Sequence, residues 1–316
     1  MTTLVTGGLG FIGSHLIDAL MNQETKICVF DNLSAGTLEN LKQWQCNPNL
    51  TIIKGDLLNH RDLAKLDGNN FDVVYHLAAN PEVRVGSTNP KIHFEQNILA
   101  THNLLEHTRK CKGNPTLVFT STSTVYGEAT KLPTPEDYGP LMPISTYGAS
   151  KLASEALISA YAHNYNFKAL SFRLANIVGS RSQHGVIYDF TQKLKKSPRE
   201  LEILGDGTQT KSYLHISDCI EAMQLGLTKS SKQVEIYNVG SEDQINVKDI
   251  AQIVIEEMKL KNVKLKLTGG VDGGRGWKGD IKNMLLDARK IKAIGWKPRL
   301  NCEEAIRKAS KELLIR

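Results

Sequence analysis

Apolar and polar positions follow two interleaved rhythms from the start of this chain to about Gly179. Short apolar runs at residues 3–6, 26–30, 51–54, 72–75, 116–119 and 168–172 read as buried strands, the second ending at Asp31. Between them, apolar residues recur at helical spacing and predict helices over 11–22, 59–66, 90–110 and 145–163. Strand and helix in regular succession is the pattern of parallel βα units, in which helices cover both faces of one sheet. Polar residues at Asp56, His76 and Thr120 to Tyr126 fall just past strand ends, where open parallel sheets form their ligand crevice. That placement favours an α/β enzyme over a fibrous or adaptor protein.

Beyond Gly179 the rhythm weakens and glycines and prolines scatter. Helices are predicted over 186–195, 217–227, 247–258 and 301–314, with irregular segments between them. The expected division is a ligand-binding sheet domain over 1–178 and a smaller lobe over 179–316, some segments of which return to the sheet. Neither internal repeats nor a low-complexity linker interrupt the chain.

At 316 residues the chain can bury a large core, and 41% hydrophobic against 23% charged residues fits a globular enzyme. The net charge of +6 favours anionic ligands such as phosphates, but the lysines are dispersed. The densest cluster, 193–199, is interrupted by Leu194, Ser197 and Pro198, so no nucleic-acid partner is expected. Cys28, Cys46, Cys111, Cys219 and Cys302 lack the short paired spacings of a zinc site or a disulfide scaffold, which points to a reducing cytoplasm. His76, His184 and His215 are equally dispersed, so no metal is expected. No apolar run approaches the ~18 residues of a membrane span, and the opening runs straight into a glycine turn without a signal segment.

Gly7, Gly10 and Gly13 fit GxxGxxG, and Gly8, Gly10 and Gly13 fit GxGxxG, between the first strand and the first helix. Glycines there let main-chain donors approach a pyrophosphate at a helix N-terminus, with Phe11 and Ile12 opening the helix. Asp31, 18 residues past Gly13, is placed to accept ribose hydroxyls and to repel the extra phosphate of NADP, so NAD is the expected cofactor. Asn32 adds a ribose contact, Asp56 and Leu57 frame adenine, and Leu77 with the small Ala78 and Ala79 allows close cofactor approach. Strand-end capping, a plain turn and simple packing are the structural alternatives for these residues.

Tyr147 and Lys151 lie four residues apart on one predicted helix face. A free tyrosine titrates at about 10, too high to give up its proton readily near neutrality, and a neighbouring ammonium favours the phenolate. Thr122 can hydrogen-bond a reacting hydroxyl, Tyr147 can exchange its proton, and Lys151 can hold the nicotinamide ribose. Together these describe a nicotinamide enzyme acting on a carbon that bears a hydroxyl.

The motifs TGGLGFIG at 6–13, DNLS at 31–34, HLAA at 76–79, STSTVYG at 121–127, YGASK at 147–151, RLAN at 173–176 and GRGWKGD at 274–280 resemble those of the extended short-chain dehydrogenase/reductase family. The resemblance spans nearly the whole chain and is strongest to nucleotide-sugar 4-epimerases of the UDP-glucose 4-epimerase group. It implies a Rossmann-like doubly wound parallel sheet with a smaller carboxyl-terminal substrate lobe. It also implies a homodimer formed through the helices near 90–110 and 145–163. The implied reaction oxidises a UDP-sugar at C4 to a transient 4-keto sugar, with NAD taking and returning hydride on opposite faces of that carbon.

Related dehydratases usually carry an Asp-Glu pair after the catalytic threonine, and decarboxylases keep the glutamate; here Ser123 and Thr124 stand there. Asn176 and Arg275 are candidate substrate contacts, the latter for the diphosphate. Lys211 replaces an arginine common in UDP-hexose epimerases, and Asn97 is placed to orient the catalytic region. Met284 occupies the position that sizes the sugar pocket, which leaves UDP-glucose and its N-acetylated form both open. Gln183 and His184 stand where glucuronate-specific relatives place an arginine, which ranks neutral UDP-hexoses above UDP-glucuronate. A UDP-glucuronate 4-epimerase, a dehydratase, a decarboxylase and a noncatalytic NAD-binding regulator remain as alternatives.

Overall fold

A computed structural model describes residues 1–111 and 113–315. Six strands, β1 (Thr2–Thr6), β2 (Lys26–Asp31), β3 (Leu50–Lys54), β4 (Val73–His76), β5 (Thr116–Thr122) and β6 (Ala169–Leu174), form one parallel sheet with a seventh, Val234–Val239. From one edge the order is Val234–Val239, β6, β5, β4, β1, β2, β3. The strand order reverses beside β1, which opens a crevice at the carboxyl ends of β1 and β4.

β4 and β6 read as continuous buried runs because helices cover both sheet faces. On one side Leu16, Ile17 and Leu20 of helix α1 (Phe11–Met21) join Met223 and Trp296 in a core against Val5, Val29 and Tyr75. On the other, Leu104, Leu105, Ile158 and Ala162 pack against Leu4, Phe30, Val74 and Phe119.

The predicted helix over 90–110 is a continuous helical segment whose middle, Phe94–Leu99, is π-helical. The extra residue in that turn brings Asn97 inward, where it is 2% exposed. The predicted helix over 59–66 is shorter, a turn of α-helix at His60–Leu63 followed by a 3-10 turn at Ala64–Leu66.

Past Gly179 the chain builds a second core around Ile187, Phe190, Ile250, Val254 and Ile306. Short strands Thr210–Lys211, Ile245–Asn246 and Asn283–Met284 pair beside it, as do Glu200–Ile203 and Lys264–Leu267. Strand Val234–Val239 lies in parallel register with β6. Among the described residues, no helix is long and apolar enough to cross a membrane. All five cysteines are unpaired.

Candidate active site

A cavity of about 740 Å³ runs between the sheet's carboxyl edge and the second lobe. The first turn of α1 forms its floor. Gly10 caps that helix without a side-chain acceptor, which leaves first-turn amides available to an anion. Gly7 has φ +68°, and a Cβ there would sit 2.7 Å from the Ala78 nitrogen. A Cβ on Gly13 would sit 2.3 Å from the Gly7 oxygen. Only glycine allows this cradle, and it is shaped for a dinucleotide pyrophosphate.

Asp31 is 7% exposed and takes amide hydrogens from Leu9 at 2.9 Å and Leu33 at 2.8 Å. Burial pushes its carboxyl up, while those two bonds pull it down. Asn32 donates to Asp56 at 3.1 Å, and Asp56 also holds the Leu58 amide at 2.8 Å. Among the described residues, the cavity wall from Gly7 through Leu58 carries no lysine or arginine to meet an extra phosphate. Leu57, Leu77, Ala78, Ala79, Phe11 and Ile12 line the same wall.

The catalytic end is built on helix Thr146–Tyr165. Ser145 caps it by accepting the Gly148 amide at 3.0 Å. Tyr147 is half-buried, and Lys151, one turn on, is 3% exposed. Thr122 ends β5 and caps the 3-10 turn Ser123–Tyr126, so its strand-end role and its place beside Tyr147 coexist.

Two buried links hold this helix. Asn97 donates to Ser150 at 2.8 Å and accepts the Asn80 amide at 2.7 Å, tying the loop after β4 to the helix. Arg173 of β6 pairs with Glu155 at 2.8 Å, both at most 5% exposed in their side chains. Arg173 also donates to the Tyr126 hydroxyl at 2.9 Å, and that hydroxyl donates to Asn238 at 2.7 Å. His76 sits deeper, held by the Thr6 and Thr101 hydroxyls at 2.8 and 2.9 Å; burial pushes it down to about 3, so it stays neutral.

A model of the family described as GDP-mannose 4,6 dehydratase matches residues 4–309. The chain belongs to the extended short-chain NAD-dependent epimerase/dehydratase family. A crystal structure of a UDP-galactose 4-epimerase is 40% identical, with 100% of this chain and 99% of that chain covered and a TM-score of 0.87. The UDP-glucuronic acid 4-epimerase of Bacillus cereus, solved with UDP-glucuronic acid and NAD, is 30% identical with 99% and 98% covered and a TM-score of 0.87. Among curated relatives, the dTDP-D-glucose 4,6-dehydratase of Homo sapiens is 28% identical over 309 residues, 96% of this chain and 87% of that protein. NAD is the cofactor of this epimerase/dehydratase family member, and the glycine cradle, Asp31 and the cation-free wall fit it.

Lys151, expected to favour the Tyr147 phenolate, donates its ammonium to the Thr120 carbonyl at 2.8 Å and lies 4.6 Å from the Phe119 ring centre. Burial pushes Lys151 down to about 7, partly offset by Glu155. Burial also pushes Tyr147 up to about 12, against a lowering hydrogen bond from Thr122. For both groups burial is the largest influence.

Arg275, the candidate diphosphate contact, is not brought to the cavity. It pairs with Glu128 at 2.6 Å, and its other nitrogens serve the Asp272 and Asp280 carbonyls. Lys211 does line the cavity but is held by the buried Asp280 at 2.5 Å. Asn176 lines it too, with its amide donating to the Ser212 carbonyl at 3.0 Å, and Met284 is 7% exposed on the same wall.

Sequence reasoning passed over Arg84 and Trp277 in this family member. Both line the cavity, with the guanidinium 5.9 Å from the ring centre and Lys211 5.5 Å from the same centre. The only signal for Arg84 was its nearness to the HLAA segment, and Trp277 was quoted within a motif without a role.

Proposed function

We propose that this protein is a UDP-sugar 4-epimerase, interconverting UDP-glucose and UDP-galactose, with the N-acetylated sugars as further candidates. The observation that carries the reading is the row of hydroxyls Thr122, Ser123 and Thr124 beside Tyr147, where dehydratases and decarboxylases need a carboxylic acid. Among the described residues, the other carboxylates lining the cavity all have partners. Glu82 is gripped by Arg84 at 2.9 Å, with Asp189 3.6 Å from the same guanidinium. Asp280 is taken by Lys211, and Asp31 and Asp56 by backbone amides.

Bound in the cradle, NAD supplies the oxidising and then reducing capacity at sugar C4. Tyr147 takes the C4 hydroxyl proton and later returns it to the 4-keto sugar after that sugar has turned over. Thr122 holds the C4 oxygen throughout, and Lys151, fastened to the end of β5, contacts the nicotinamide ribose. Asn176 and Lys211 contact the nucleotide sugar. Preference for neutral hexoses is supported by Arg181, the nearest arginine in sequence to Gln183 and His184, which is drawn to Asp18 at 2.8 Å, and by Arg84, whose charge reaches His184 but which is paired with Glu82 at 2.9 Å.

The working unit in this reading is a cytoplasmic homodimer. Phe94, Leu99 and Tyr165 support it, since they are 57%, 38% and 42% exposed on the two helices concerned.

The test is product analysis with UDP-glucose, UDP-N-acetylglucosamine and UDP-glucuronate, each incubated separately with the protein and NAD. An isobaric C4 epimer without accumulating NADH supports the reading. Loss of water or of carbon dioxide would replace it with a dehydratase or a decarboxylase, and no product from any sugar would favour a regulatory NAD-binding protein.

A further inference from the structure

Thr124 has so far entered only as a residue that is not glutamate, but its hydroxyl is engaged. It donates to the Thr122 hydroxyl oxygen at 3.2 Å, and the Thr124 amide donates to the same oxygen at 3.2 Å. A hydroxyl has two acceptor sites and one proton to give. With both acceptor sites filled from one residue, Thr122 can only donate, and its proton is directed away from the 3-10 turn toward Tyr147 and the cavity.

The backbone reinforces this arrangement. Gly148, next to Tyr147, lies so close to the turn that a Cβ there would sit 2.7 Å from the Thr124 oxygen. The absence of a side chain at Gly148 lets the catalytic helix dock on the turn that carries Thr124. Thr124 is partly buried and lines the cavity beside Ser123.

We infer that Thr124 is a positioning residue that makes Thr122 a one-way hydrogen-bond donor, to the Tyr147 oxygen before the sugar binds and to the sugar oxygen once it is in place. A donor fixed in this sense favours a phenolate and a developing carbonyl oxygen, and two donors feeding it polarise its O–H further. A hydroxyl free to rotate would spend part of its time accepting, which helps neither. A carboxylate at position 124 would accept rather than donate and so reverse the polarity of the pair. This rests on the epimerase reading only where it assigns Thr122 and Tyr147 to the sugar hydroxyl.

The experiment compares Thr124→Val, which keeps shape and the backbone amide but loses the hydroxyl, with Thr124→Ser, which keeps it. Steady-state epimerisation is measured alongside titration of Tyr147, read as the ultraviolet phenolate signal lost in Tyr147→Phe. Lys151, and His93 at 5.7 Å between ring centres, are the titrating neighbours present in every variant.

Loss of one such hydrogen bond is expected to lower kcat about fivefold to tenfold in Thr124→Val with KM little changed, and to move the Tyr147 titration upward. Thr124→Ser should recover most of both. If Thr124→Val does not fold, Thr124→Ala carries the same expectation. Wild-type kcat in the variant lacking the hydroxyl, a change in KM alone, or an unmoved Tyr147 titration would overturn the inference. A wild-type protein that forms no C4 epimer would instead sink the epimerase reading, and the titration comparison would still decide the role of Thr124.

Discussion

Lys151 donates its ammonium to the carbonyl oxygen of Thr120 at 2.8 Å, two residues before Thr122 on the same strand. That bond fastens the helix carrying Tyr147 to the strand end and holds the Lys151 nitrogen at a fixed place in the cavity. It also buries a charge, and the cost of doing so has a definite pH dependence.

Lys151 is pushed from 10.5 down to about 7, so between those values the unfolded chain binds a proton that the folded protein does not. Stability therefore rises with pH in that window, by up to about 1.4 kcal/mol per unit. Lys151→Met should be inactive yet more stable than the parent near pH 6.5. Its advantage should shrink steadily toward pH 9.5, as checked by thermal unfolding of both proteins across that range.

Tyr147→Phe keeps the ring but removes the oxygen that exchanges the proton. Epimerisation should fall by about 10²- to 10⁴-fold, the usual scale of general acid–base catalysis. NAD affinity, measured by calorimetry, should stay within about threefold, since the cradle at Gly7 and Gly13 is untouched.

Asp31 both lines the cavity beside the glycine turn and holds two backbone amides, so Asp31→Asn tests the proposed ribose contact and a structural role together. An amide offers one acceptor oxygen where the carboxylate offers two, leaving the Leu9 or Leu33 amide opposed by an NH2 group. The expected outcome is a loss of about 1–3 kcal/mol in stability. NAD binding should weaken by about tenfold, equivalent to about 1.4 kcal/mol, with NADP gaining relative to NAD.

Met284 lies buried in the cavity wall, where the proposed function puts the sugar. Met284→Tyr should lower turnover of UDP-N-acetylglucosamine by about tenfold or more while changing that of UDP-glucose far less, because an added ring consumes the space an N-acetyl group requires. Parallel kinetics on the two sugars check this.

What was legible in the sequence was short-range. The glycine turn, the strand-end place of Asp31 and the shared helix of Tyr147 and Lys151 could be read because each rests on spacing within one turn or one βα unit. Charge states could not, since they depend on how deeply a group is buried: Lys151 looked like a simple electrostatic partner until its burial was known. The ion pair of Arg275 was not foreseen for a related reason, because Glu128, which engages it, is remote in the chain. Val234–Val239 was missed because it follows the irregular stretch and completes the sheet only by pairing with β6, far earlier in the chain.

The central claim, that C4 is oxidised and reduced again on one sugar, is tested most directly with UDP-glucose deuterated at C4, turned over in ordinary water. The account predicts UDP-galactose that keeps the deuterium at C4, with no label in solvent or elsewhere on the sugar. Deuterium relocated to C6 with loss of water, or washed out of C4, would contradict it.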